Sequence, residues 1–242
     1  MGSYIQHLAI IRKKTNIIAT QDICNAQGQL LVPKGAVLDD NATDRIVKFK
    51  LMRPIEHCVT IENELRAECL VKKVNAFIAQ DPYLMALCKI ANCAKALEAC
   101  CAVYDQFPIL RQKITVMSIR LERQFDQALF CAWNSIWLAR SYSSDDHFIS
   151  SAFIACLAHD IGLLHLNPEI FAEQGRLSLE SIKQVHVHPV IGHKILAEIK
   201  EIPELVAEGI KEHHENIDGT GFPSGKVGKN LSELGRMINL LD

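Results

Sequence analysis

Near residue 65 the hydrophobic pattern changes period, and that change most constrains the fold. Before it lie short apolar, partly β-branched segments, NIIAT at 16–20, QLLVP at 29–33 and IEHCVTI at 55–61. The turn signals NAQGQ and PKG separate them, so they read as strands of a small domain. From Asp39 to Leu51 the stretch opening DDNATDRIVKF sets capping residues before helical spacing, which predicts a helix between the last two strands. Past about Asn63 the pattern is helical. Leu84 to Val103 and Ile114 to Tyr142 read as two long helices of a bundle; further helices are expected at 148–165, 178–200 with a break at Pro189, 203–215, and from near Leu234. The expected class is α+β, mainly helical, with a small N-terminal domain of several strands. Its expected divisions are residues 1–62, a helical connector 63–114 and a helical domain 115–242.

A chain of 242 residues, 49% hydrophobic and 22% charged, can bury a substantial core. The formal net charge of −2 gives no electrostatic support for a nucleic-acid polymer or an anionic membrane as partner. No apolar run is long enough to span a membrane, and the start lacks the regions of a signal peptide. The nine cysteines form no CxxC framework, a pattern suited to reduced thiols in a cytoplasm.

Seven of the ten histidines fall between 159 and 214: His159, His165, His186, His188, His193, His213 and His214. Imidazole with carboxylate suits borderline divalent metals such as iron, manganese, zinc or nickel rather than calcium or magnesium. In LAHDIG, at 157–162, the two oxygens of Asp160 can bridge two cations while His159 caps one. In EHHE the adjacent histidines point about 100° apart on a helix, so they share a metal only at the seam between them. The plain alternative is a solvated helix terminus with His near its carbonyl end. After it, Asp218, Gly219, Gly221, Phe222 and Pro223 form either an ordinary surface turn or a stiff loop offering backbone donors to a substrate or partner protein.

LAHDIG, HPVIGHKIL at 188–196 and HHENIDGTGFP at 213–223, in that order, resemble the HD-GYP subgroup of the HD-domain phosphohydrolases over roughly residues 115–242. The resemblance implies an HD-domain helical bundle and hydrolysis of the bacterial messenger cyclic di-GMP by metal-activated water. It also implies one or two divalent cations per chain, iron or manganese, in a cytoplasmic signalling protein. By position, His159 and Asp160 match the metal-binding pair, with Asp160 bridging. His188, His213 and His214 match the ligands of one metal and Asp242 a ligand of the other. Family members continue their helix beyond that Asp, so the chain reads as truncated there. His186 lacks the following Pro and is the less favoured ligand beside His188, whereas His165 and His193 match no ligand position and are assigned to packing or surface.

Several departures bear on activity. The family's further His and the Glu preceding it count back to Gln127 and Arg123, with Glu122 and Asp126 one register away. The Lys after HDIG is Leu163, the Tyr of GYP is Phe222, and the Arg often found after HHE is Asn216. These imply a phosphodiesterase with a weakened first metal site, or a non-catalytic relative that binds nucleotide or signalling proteins through the GFP loop. The N-terminal part looks similar to small modules placed ahead of such domains, which implies sensing or docking.

Overall fold

In the computed structural model, which describes residues 3–91, 93–172 and 176–242, the chain is mainly helical. It opens with α1 (Ser3–Ile11), which has no counterpart among the expected elements. Tyr4, Leu8 and Ile11 recur on one face and are buried. The strands β1 (Ile17–Ala19), β2 (Ile23–Cys24), β3 (Leu30–Val32) and β4 (Val59–Ile61) form two antiparallel pairs, β1 with β4 and β2 with β3. Between β3 and β4 lies α2 (Asp40–Lys48), capped by the Asp39 side chain on Ala42 N. The segment expected as one strand at 55–61 is a 3-10 turn at Ile55–His57 followed by β4. Its turn follows Pro54, and Gln112 fixes the exit by donating to Val59 O at 2.7 Å.

The helices continue as α3 (Ala67–Ile78), α4 (Pro82–Ala91), α5 (Ala94–Tyr104), α6 (Pro108–Arg120), α7 (Glu122–Tyr142) and α8 (Asp146–Ala158). Each expected long helix is therefore broken once. Cys93 separates α4 from α5, which turns to bury Leu97, Cys100, Cys101 and Tyr104 against α3 and α8. Leu121, at φ −126° and ψ 59°, separates α6 from α7. No Gly or Pro marks that second break; burial of Leu121 itself holds the corner.

Helix α8 is buried on every side from Ile149 to Ala158, so its sequence carries no amphipathic stripe. It packs chiefly on α7 and carries the chain into the core before it turns at His159. The remainder is α9 (Leu179–Val185), α10 (His188–Ala197), α11 (Glu204–Glu212) and α12 (Glu233–Leu241). The expected break near Pro189 falls at His186–Val187, with Pro189 in the first turn of α10, where its missing N–H costs nothing.

One buried apolar cluster runs from Tyr4 through α8 to Ile238. The N-terminal segment is tied to it by polar contacts as well. Leu65 N donates to Thr115 Oγ1 at 2.9 Å, and the Tyr4 hydroxyl donates to Gln112 Oε1 at 2.9 Å. Lys113, 1% exposed, sits 3.2 Å from Glu56 and 2.9 Å from His165 Nε2, above the Tyr4 ring. Cys24, Cys58, Cys69, Cys100, Cys101, Cys131 and Cys156 are free thiols, and no helix among the described residues is long and apolar enough to cross a membrane.

Candidate metal centre

Three histidines reach the centre by one local device. His159 ends α8, His213 ends α11, and His188 follows the short α9. In each, Nδ1 meets the carbonyl of the residue three positions earlier: Cys156 (2.7 Å), Val185 (2.7 Å) and Ile210. A carbonyl only accepts, so Nδ1 carries a proton, and in the neutral ring Nε2 turns its lone pair inward. Such backbone anchoring is how metal-ligating imidazoles are oriented.

The inward atoms converge. His188 Nε2 lies 3.1 Å from His213 Nε2. One ligand atom from each of His188, His213 and His214 falls within 4.8 Å of the others. On the other side, His159 Nε2 is 3.2 Å from Asp242 Oδ1. Asp160 stands between these groups, with Oδ2 3.6 Å from His159 Nε2 and Oδ1 3.1 Å from His188 Nε2. The carboxylate therefore gives one oxygen to each side.

The electrostatics match a site short of positive charge. Burial opposes protonation of His159, yet Asp160 and Asp242 outweigh it and lift its pKa to about 9. Burial also opposes ionisation of Asp160, but His159 and His188 hold its carboxyl well below the usual range. Burial, followed by the neighbouring imidazoles, depresses His213 far below 6.5, and burial with His188 lowers His214 to about 4. His159 Nε2 is buried and makes no well-aligned hydrogen bond, although Asp242 Oδ1 lies 3.2 Å away. A donor set of imidazole nitrogens and carboxylates converging in a buried site fits divalent cations.

Glycine makes the convergence possible at two points. A Cβ on Gly162 would lie 2.0 Å from the His188 carbonyl oxygen, so only glycine lets the turn after Asp160 touch the start of α10. On Gly221 it would lie 2.3 Å from Asn216 N and 2.4 Å from His214 O.

The loop at 216–226 is held from within. Asp218 Oδ1 accepts from Thr220 N (3.0 Å) and Thr220 Oγ1 (2.7 Å), and Gly219 takes φ +82°. Buried Glu215 accepts from Ser224 N at 2.6 Å and Lys226 N at 3.0 Å. These amides are thus engaged inside the loop. Phe222, joined to Pro223 by a cis bond, stacks between His186 (4.1 Å) and His214 (4.7 Å).

Glu212, 3% exposed, receives Ser232 N at 2.7 Å and an ion pair from Lys226, which fixes the entry to α12. The EHHE motif does not by itself reveal the positioning roles of Glu212 and Glu215. Their partners lie 9 to 20 residues downstream, and only the acidic flanks of the His pair hinted at them.

Gln127 reaches the centre's edge, where Nε2 donates to the Asp242 main-chain oxygen at 2.8 Å. Glu122 faces Lys14 at 3.9 Å, and Asp126 lines a separate recess with Lys73 and Phe77. Leu163 and Arg123 share a cavity of about 480 Å³ with Arg120, Phe171 and Val185. His165 packs flat on Tyr4, and His193 pairs with Glu208 at 2.9 Å. Asn216 donates to Thr220 Oγ1 at 3.0 Å.

Residues 118–242 match the model of the HD domain. A cyclic di-GMP phosphodiesterase of Pseudomonas aeruginosa is 35% identical over 107 residues, 44% of this chain and 26% of that protein. A 3′3′-cGAMP-specific phosphodiesterase of Vibrio cholerae is 34% identical over 88 residues, 36% of this chain and 19% of that protein. A cyclic di-GMP phosphodiesterase of Thermotoga maritima is 29% identical over 111 residues, 46% of this chain and 30% of that protein. The chain thus spans between 19% and 30% of the length of these relatives.

Proposed function

The chain belongs to the HD-domain family, and from that premise we propose that it is a metal-dependent phosphodiesterase of cyclic di-GMP, weakened at its first metal site. The observation that carries this reading is Asp160, whose two oxygens face His159 and His188 separately. His188, His213 and His214 would hold one cation, and His159, Asp160 and Asp242 would hold a second, less completely. Iron or manganese fits this mixed donor set. A bound cation supplies an acidified water and offsets charge developing on the phosphate.

The chain's own residues do the rest. Asp160 keeps the two half-sites in register, and the carbonyl-anchored imidazoles keep their Nε2 atoms aimed. Arg120 and Arg123 line the cavity that Leu163 shares, so a substrate phosphate reaching it would meet their positive charge in place of a lysine. The family's further His counts back to Gln127, whose neutral amide donates to the Asp242 backbone, and on this reading the first metal site is the weaker one.

A second reading, a non-catalytic module that binds nucleotide or signalling proteins through residues 218–223, is favoured by the same Gln127 and Leu163. Residues 1–62 then serve as a sensing or docking module ahead of the connector 63–114 and the metal-binding part 115–242. Either role belongs in the cytoplasm. Anaerobic turnover of cyclic di-GMP with iron(II) or manganese(II), read by chromatography, separates the two. The enzyme reading expects hydrolysis that vanishes in Asp160→Ala and His188→Ala. A folded, metal-loaded wild type without turnover overturns it.

A further inference from the structure

Outside the metal centre, a cavity opens between α1, α2 and the turn at 52–57. Its volume of about 640 Å³ falls within the roughly 300–1,000 Å³ of small-molecule sites. Ile5, Ile46, Phe49, Leu51, Met52 and Ile55 form its apolar lining. Phe49 and Met52 remain 40% and 58% exposed, so the lining presents large apolar side chains to solvent.

The polar groups of the wall sort into two kinds. The inner ones are already partnered. The Tyr4 hydroxyl donates to Gln112, Glu56 accepts from Lys113 at 3.2 Å, and His165 Nε2 accepts from the same ammonium at 2.9 Å. Exposed Lys50 and Arg53 have no carboxylate within 4.0 Å among the described residues, and Arg53 makes only a 3.2 Å hydrogen bond to Gln21. With Glu56 neutralised by Lys113, the free charge at the cavity is cationic.

We propose that this cavity is a binding site for a small amphipathic carboxylate, its chain along the apolar lining and its head group at Lys50 and Arg53. An occupant touches His165, the last residue of the turn that begins directly after Asp160, and so lies one short element from the metal centre. The proposal stands independently of the phosphodiesterase reading.

The test is calorimetric titration of the full chain with decanoate below its micelle concentration, with decyltrimethylammonium as a control of equal chain length and opposite charge. One decanoate per chain is expected, with little binding of the cation. Amide shifts of the wild type should cluster at Ile5, Phe49 and Met52. The pair Lys50→Glu and Arg53→Glu, both exposed and tolerant of substitution, should weaken decanoate at least tenfold, and Ile5→Trp should abolish binding by filling the cavity. Absence of binding, equal binding of the cation, shifts that map elsewhere, or unchanged affinity in the charge-reversed variant would each overturn the proposal.

Discussion

His188 Nε2 stands 3.1 Å from His213 Nε2 while the other nitrogen of each ring is committed to a carbonyl. Two lone pairs at that distance repel unless something positive lies between them. A proton serves poorly, because burial and neighbouring imidazoles depress His213. A divalent cation serves well. Metal should therefore stabilise the fold: at a hundredfold excess over Kd, manganese(II) is expected to raise Tm by roughly 5–10 °C. Thermal scans of wild type and His213→Ala check this, and the variant should lose most of the shift.

Acid should destabilise the metal-free protein through histidines away from the centre. Burial, then Arg120, lowers His7 to about 4, and burial, then Lys113, lowers His165 to about 4, both from 6.5. The unfolded chain then takes up more protons between these values, so this stability is complete above 6.5 and is lost as pH falls toward 4. His159, raised to about 9, acts oppositely: its contribution is complete below 6.5 and fades as pH rises through 9. Guanidinium melts of the metal-free protein should give a maximum near pH 6.5. His7→Leu should flatten the acid limb.

At Gly162 the prediction is steric. Alanine places a methyl group on the His188 carbonyl oxygen, which forces the turn and α10 apart. A loss of about 1–3 kcal/mol is expected from such overpacking. Urea melts measure the loss, and metal affinity measured separately should fall with it, because both half-sites depend on that contact.

Leu163→Lys asks whether the missing cation limits catalysis. Leu163 is 5% exposed and lines the cavity that Arg123 shares, so a lysine there extends its ammonium along that wall. The expected outcome is a kcat/KM higher by about tenfold, the scale of one charge-assisted contact of about 1.4 kcal/mol. Unchanged kcat/KM would show that Arg120 and Arg123 already supply the charge.

The residues that the structure brings together were largely legible, because a metal-ligating pattern restricts residue type and spacing together. His159, Asp160, His188, His213 and Asp242 sit at or just beyond helix ends, where the turn after each helix aims them inward. The supports were less visible. Glu212 and Glu215 act on backbone amides that no side-chain pattern reveals. Helix α1 did carry a readable signal, Tyr4, Leu8 and Ile11 at i, i+4 and i+7. The corner at Leu121 carried none, since an apolar residue there suits a continuous helix equally well.

The most direct test of the centre is its metal content. After anaerobic loading with iron(II) and desalting, elemental analysis should find more than one ion per wild-type chain. One ion should survive in His159→Ala, which removes a donor of the second half-site, and less than one in Asp160→Asn, because the two oxygens of Asp160 face both half-sites. A wild type that retains no metal, or an Asp160→Asn variant that retains as much as wild type, would contradict the assignment of Asp160 as the bridge.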